Sequence, residues 1–400
     1  MDFASRKPPE SNVLVELLRD RMNALVVCLS NSWGGLEQVA AEDAMDAGRL
    51  GLNVRVLCLE GSPIHEKLAS RKEVSVLPVS FRPRNYFDLK LKAELDKVIE
   101  QGVNLIHTHQ TSVLGSLIPW LWKRPSVAAL ATRHMMCGHD KRNIFHGTIY
   151  GRLDAMLVMS NTLRENVLRT HPILERRVKV VNLGLDFERF DPSKFNRMHQ
   201  RARWGADPDT IVIGVVGRID PAKGQGTFIK AAAGLLKRVS DQKMKFVIVG
   251  EETLGAPSTY LETLKQMVTQ FRLEDHVVFA GFQENVPEVM SALDIFVMPS
   301  RQETFGLVAI EAMAMERPII ISSGGSAREI IGNEEFGLAM RPDDAFDLQA
   351  RLRFLLEHHG ERINMGLKAR RHVLENYDRL MRVRRTLEIY DRALRRRGTH

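Results

Sequence analysis

Residues 210–224 read TIVIGVVGRIDPAKG, an apolar run that breaks into a glycine turn carrying two bases, with a helical stretch beginning near Thr227. A short, β-branched run without polar alternation suits a strand covered on both faces, as in a parallel sheet. Reading outward, further runs of this kind fall at Lys245 to Val249, His276 to Phe279, Ile295 to Met298 and Pro318 to Ile321. Upstream, a polar stretch with Asp191, Pro192 and Pro208 interrupts the pattern, and before it the same alternation runs through Ala24 to Leu29, Val54 to Leu59 and Leu105 to His107. After the first of these, Leu36, Val39, Ala40, Ala44 and Ala47 mark the apolar stripe of a helix. The pattern predicts an α/β chain of two doubly wound, Rossmann-like parallel-sheet domains, residues 1–190 and 191–375, with the boundary between Gly184 and Gly205.

The 400 residues suffice for two cores, and 44% apolar with 26% charged residues places the chain among ordinary globular proteins. Cys28, Cys58 and Cys137 form no CxxC pair and the first two lie inside apolar runs, so neither a disulfide nor a zinc framework is expected. Met1 to Asn12 lacks the apolar segment of a signal peptide, and no later run reaches membrane-spanning length, which points to the cytoplasm. A net charge of +8 predicts attraction to an acidic surface. Leu367 to Arg397 reads as a strongly basic helical stretch, either a solvated face or a binding face.

Two constellations carry chemistry. In Gly217 to Gly224, glycines let the backbone approach a ligand, the following helix offers free N–H groups to an anion, and Arg218 and Lys223 add full positive charges. A diphosphate cradle and a surface turn with two solvated bases both fit. In Glu303-Thr304-Phe305-Gly306-Leu307-Val308-Ala309-Ile310-Glu311 two carboxylates bracket the start of a helix expected near Phe305, with Glu311 about two turns along. Each carboxylate can accept paired hydrogen bonds from vicinal hydroxyls of a sugar or ribose. Helix capping and a structural ion pair are the alternatives. In the first half, Gly34-Gly35 and His109 follow strands, and strand ends are where open α/β sheets hold ligands, with a structural core histidine as the alternative for His109.

The Gly-Arg-x4-Lys-Gly element, the Glu-x7-Glu element with its Phe-Gly-Leu core, and Ser322-Ser323-Gly324-Gly325 before Glu329-Ile330-Ile331 resemble, in order and spacing, the family 4 glycosyltransferases. The resemblance implies a GT-B fold, two domains facing across a cleft, and a C-terminal helix crossing back so that about residues 376–400 complete the first domain. It implies retaining transfer from a nucleoside-diphosphate sugar acting as co-substrate, with no metal and no resident cofactor. Arg218 and Lys223 would hold the donor diphosphate, Glu303 the sugar and Glu311 the ribose. The backbone of Phe305, Gly306, Leu307 and Val308 would line the donor, Gly34-Gly35 would approach its phosphates, His109 would reach toward the transferred sugar, and the base would pack near Gly281 to Val286. One departure is Ala314-Met315-Glu316-Arg317-Pro318, which stands where the family has small-Cys-Gly-x-Pro.

Charge developing on the departing β-phosphate would be met by Arg218, Lys223 and the helix N-termini. Because no first-domain carboxylate is nominated beside His109, same-face attack is preferred over a double displacement. Between Pro119 and Arg152, Lys123, Arg124, Arg133, Lys141, Arg142 and Arg152 face the single acid Asp140 and interleave with Trp120 and Trp122, among other aromatics. That composition suits an anionic lipid interface better than nucleic acid, or else a solvated face, and leads to an expectation of peripheral attachment to the inner face of the cell membrane and an acidic or lipid-linked glycan acceptor. The rival readings are a sugar-nucleotide epimerase of the same architecture and a non-catalytic nucleotide-sugar-binding subunit. A dinucleotide oxidoreductase lacks its GxGxxG after the first strand.

Overall fold

The computed structural model describes residues 9–84, 86–239, 242–252 and 259–398. The residues 1–8 that open the polar N-terminal stretch lie outside them. The chain divides into two compact units, residues 1–182 with 380–400, and residues 183–379.

The first unit is a seven-stranded sheet of β1 (Asn23–Cys28), β2 (Asn53–Leu59), β3 (Ser75–Val79), β4 (Leu105–Thr108), β5 (Ala128–Arg133), β6 (Ala155–Val158) and β7 (Val178–Val180). All pairings are parallel, in the order β3-β2-β1-β4-β5-β6-β7. The order reverses between β1 and β4, so the loops that follow those two strands flank the switch point. In-register residues such as Val26 beside Val56 and His107 are buried, as strands covered on both faces require. Cys28 and Cys58 sit side by side in this core, and burial pushes their thiols up to about 12 and about 11, so both are inert; Cys137 is also free and buried.

The second unit repeats the plan with β8 (Ile211–Val216), β9 (Met244–Val249), β10 (Val277–Gly281), β11 (Ile295–Met298), β12 (Ile319–Ser322) and β13 (Leu338–Met340). Its order, β10-β9-β8-β11-β12-β13, puts a second switch point between β8 and β11. Its core gathers Phe228, Phe246, Ile295, Val297 and Leu352.

Two local features go beyond the sequence reading. The N-terminal stretch contains a helix, Pro9–Arg19, with proline in its first turn, where a missing N–H costs nothing, and with Val15 and Leu18 buried. The basic stretch from Leu367 belongs to two helices, His359–Asn376 and Arg379–Arg396, parted at Tyr377 and Asp378. The second of these joins the core of the first unit through Val383, Leu387, Tyr390 and Leu394, spaced at helical period, with its arginines mainly on the other face. Among the described residues, no helix is long and apolar enough to cross a membrane.

Candidate functional site

In the second unit, the loop after β8 turns at Gly217 and forms a short 3₁₀ turn, Pro221–Lys223, capped by Asp220, whose Oδ1 accepts from the Ala222 N–H at 2.9 Å. Gly224 then takes a left-handed conformation, φ 76°, and opens the helix Gln225–Leu236. A Cβ at Gly224 would overlap the carbonyl oxygen of Pro299, in the loop after β11. That close approach is sealed by the Arg301 N–H donating to the Ala222 carbonyl at 2.9 Å. Glycine is therefore required on two independent counts, backbone angle and space.

The two loops bring Lys223 and Glu303 together. Lys223 Nζ donates to Glu303 Oε2 at 2.8 Å, and both side chains are partly exposed. Arg218 stands in the same loop, more exposed, with Nη2 3.2 Å from Asp220 Oδ2. Glu303 is held from behind: its carbonyl accepts from the Ser326 N–H at 2.9 Å, and Gly325, φ 76°, bridges to it so closely that any side chain at Gly325 would collide. Ser326 Oγ donates to the carbonyl of Phe305 at 3.0 Å. The helix begins at Leu307 after Gly306 in the left-handed region, φ 88°, not near Phe305, so Glu311 is the fifth helical residue and only just past one turn. Phe305 is buried against Tyr377, ring centroids 5.9 Å apart, while Leu307 and Val308 stay half-buried at the helix mouth, where first-turn N–H groups lack intrahelical partners. In the Gly281 to Val286 segment, Phe282 is exposed and its N–H donates to Glu251 Oε1 at 3.3 Å.

In the first unit, Gly34 caps the helix Gly35–Arg49, and its N–H donates to Glu37 Oε2 at 2.9 Å. A Cβ on Gly35 would meet open space. His109, directly after β4, is buried. Its Nδ1 lies 3.3 Å from His134 Nε2 and its Nε2 3.5 Å from Asp43 Oδ2. His107 Nδ1 contacts the Tyr390 hydroxyl at 2.7 Å and its Nε2 contacts Thr132 Oγ1 at 2.8 Å. Arg382 Nη2 meets Asp43 Oδ1 at 2.5 Å. Burial, reinforced by neighbouring histidines and the Arg382 charge, lowers His107 and His134 to about 3 and His109 well below its ordinary value. Asp43 is thus neutralised by Arg382, and the Asp43–His109 contact joins a carboxylate to a neutral ring.

Asp43, His134 and Arg382 escaped the sequence reading, and the premise that no carboxylate stands beside His109 is corrected by Asp43. A signal was available for two of them. Asp43 falls on the same helical stripe as Val39, Ala40 and Ala47, where a buried carboxylate demands a partner, and His134 follows its strand as His109 does. Donor atoms of Asp43, His107 and His109 lie within 4.8 Å of one another. His107 commits both nitrogens to other groups and Arg382 occupies the carboxylate, so the cluster fits a neutral network closed by one ion pair better than a cation.

The aromatic and basic segment divides. Trp120 is half-buried, its ring flanked by Lys92 at 5.7 Å and Lys123 at 5.8 Å. Trp122 is exposed, with Nε1 donating to the Thr148 carbonyl at 3.3 Å. Arg124 pairs with Asp96 at 3.0 Å, Arg142 with Asp140 at 3.0 Å, and Arg133 turns onto Thr111 and the carbonyls of Met135 and Met136, while the Lys141 N–H donates to the Thr170 carbonyl. Asp96 makes the segment less one-sided than its own sequence suggests. Arg152 is not a surface base at all: it is buried beside Asp154 on the carbonyls of Leu121, Arg124 and Val127, and desolvation lowers it to about 10.

Residues 33–189 match the family described as Glycosyltransferase Family 4, and residues 196–372 that described as Glycosyl transferases group 1. A D-inositol 3-phosphate glycosyltransferase of Corynebacterium jeikeium is 30% identical over 292 residues, 68% of this chain and 69% of that protein. The chain belongs to glycosyltransferase family 4. Within this family, the lipopolysaccharide core biosynthesis mannosyltransferase LpsB of Rhizobium meliloti is 32% identical over 195 residues, a match that spans about half of either chain, 48% of this one and 52% of that one. A crystal structure of a glycosyltransferase from Rickettsia africae superposes with a TM-score of 0.84 at 20% identity, covering 94% of this chain and 99% of that one. The glycosyltransferase thus has the GT-B fold, two Rossmann-like parallel-sheet domains.

Proposed function

We propose that this family 4 enzyme moves a sugar, with retention of anomeric configuration, from a nucleoside-diphosphate sugar to a hydroxyl of an acidic or lipid-linked glycan acceptor of the lipopolysaccharide or envelope-polysaccharide type. The observation that carries the proposal is the meeting of Lys223 and Glu303 at 2.8 Å, beside Arg218, where loops flank the β8/β11 switch point. A carboxylate for sugar hydroxyls and two cations for a diphosphate are the groups that such a donor needs in one place. The similarity to a lipopolysaccharide core mannosyltransferase supports the acceptor class.

When the glycosidic bond to the diphosphate breaks, negative charge grows on the leaving oxygen. Lys223 and Arg218 stabilise it increasingly along the reaction, with the Gln225–Leu236 helix N-terminus adding its partial charge. In the free protein Glu303 holds Lys223 in place, and a bound diphosphate competes for that ammonium and releases the carboxylate to sugar hydroxyls. The proposed chemistry runs on the donor as co-substrate, with side chains supplying the charge and no resident cofactor or metal invoked. Same-face attack is favoured because Asp43, the carboxylate beside His109, has a side chain only 5% exposed and committed to Arg382, which suits it poorly to act as a nucleophile.

Incubating the purified enzyme with nucleotide sugars and extracted glycolipid acceptors, then assigning the anomeric configuration of the product by NMR, tests the proposal. A product of inverted configuration contradicts retention, and donor hydrolysis with no acceptor product from any glycan contradicts transfer.

A further inference from the structure

We infer that the first unit carries a docking surface for an anionic lipid bilayer, formed by the exposed side chains of Tyr86, Phe87, Leu89, Trp122, Ile144 and Phe145. These residues come from three separate segments, yet the contacts between them make one patch. The Tyr86 ring packs edge-on against Phe145 at 4.8 Å and so close over Gly115 that a Cβ there would collide with it. Phe87 packs edge-on against Trp120 at 6.1 Å, and Trp122 is tied to the Phe145 helix through the Thr148 carbonyl. Ile144 opens that helix, Ile144–Gly151, and is 90% exposed; Leu89 opens the helix Leu89–Glu100 and is 71% exposed. Large apolar side chains grouped and held outward in this way mark an interaction surface, whereas single exposed ones do not.

The fringe selects the occupant. Lys90 follows Leu89 and is exposed, and Lys123 and Lys92, the latter also paired with Asp96, lie 5.8 and 5.7 Å from the Trp120 ring centroid. Indole and phenol rings settle at headgroup level and lysines reach phosphate, while aliphatic tips enter the acyl region. A single-stranded nucleic acid would stack on planar rings and has no use for Ile144 or Leu89 as the most exposed members. A second copy of the chain would bring the same bases against themselves. The inference deepens the lipid-linked acceptor reading and rests on it for its purpose: an acceptor hydroxyl presented at a bilayer is reached by an enzyme held there.

The test is co-sedimentation of the full chain with vesicles of phosphatidylcholine alone or mixed with phosphatidylglycerol, at low and high salt, beside gel filtration and an oligothymidylate titration. Binding to the mixed vesicles is expected, weakened by salt, at least tenfold weaker in Phe87→Ser/Ile144→Ser, and stripped of its anionic preference in Lys90→Glu/Lys123→Glu. All four exchanged positions are surface ones, and a melting curve shows that each variant folds. Equal vesicle binding by Phe87→Ser/Ile144→Ser, no vesicle binding by folded wild type, oligothymidylate binding in its place, or a dimer that this variant abolishes would each overturn the inference. Thermal stabilisation by nucleoside diphosphates, read on the same samples, tests the donor reading separately: if it persists while vesicle binding fails, the surface falls alone, and in the opposite case the surface stands without the transfer reading.

Discussion

Lys223 and Glu303 are 80 positions apart and each satisfies the other, so removing either leaves a charge behind as well as a gap. Lys223→Ala is expected to lower kcat/KM on the order of a hundredfold, about 3 kcal/mol of transition-state stabilisation, comparable to losing one oxyanion-hole donor. Glu303→Ala should lower turnover similarly while the melting temperature moves little, because the pair is partly exposed. Steady-state kinetics on the folded variants checks both. The histidine cluster makes a different statement. His107 and His134 sit at about 3 in the fold and near 6.5 when unfolded, so below pH 6.5 the unfolded chain takes up protons that the folded chain refuses. Stability should therefore be level above pH 7 and fall progressively from pH 6.5 toward 3, by on the order of 1 kcal/mol per histidine per pH unit. Denaturant melts across that range check it, and a His134→Gln variant should show a shallower slope. Lys223 and Glu303 were legible as candidates in sequence because each follows a strand within a distinctive spacing. Arg382 was not, since the basic stretch that holds it reads the same whether an arginine faces water or Asp43.

At the scale of elements, β1, β2, β4 and β8 to β12 were legible because β-branched runs without polar alternation favour strands covered on both faces, while β3, broken by a proline, β5 and β6, with few β-branched residues, and the three-residue β7 and β13 carry no such pattern. Helix ends were less legible. The helix expected at Phe305 begins at Leu307 because Gly306 adopts a positive φ, which the residue type permits but does not dictate. The departure at Glu316 now has its physical content: Glu316 takes φ 62°, the conformation that suits the glycine of the family motif, and Gly366 packs so close to its carbonyl that no side chain fits there. The loop junction under the proposed donor site gives the sharpest prediction at this scale. Gly224→Ala adds strain from φ 76° and a collision with the Pro299 carbonyl, and is expected to destabilise by more than about 2 kcal/mol. Urea melts measure it, and an unchanged midpoint would show that the two loops do not meet as described.

At the scale of the whole molecule, two units of like topology each carry a switch point and a core, but only the first depends on a segment from the far end of the chain. Leu394 is fully buried there, with Leu387 and Tyr390 nearly so, and burying one such side chain contributes about 2 kcal/mol. Ending the chain at Asp378 removes that contribution several times over, against a net stability of about 5–15 kcal/mol for a typical domain. The truncated protein is expected to lose the melting transition of the first unit while the second still unfolds cooperatively, as calorimetry would show. This return of the C-terminal helix was legible only through the family resemblance, since nothing in its own arginine-rich sequence names the sheet that it covers. The central claim, a nucleoside-diphosphate sugar held by Lys223, Arg218 and Glu303, is tested most directly by thermal stabilisation of the pure enzyme across a panel of nucleoside diphosphates and their sugars, repeated with Lys223→Ala. Selective binding raises apparent stability by mass action. A shift confined to one base and lost in Lys223→Ala is the predicted result; no shift with any member of the panel, or an equal shift in the variant, would contradict it.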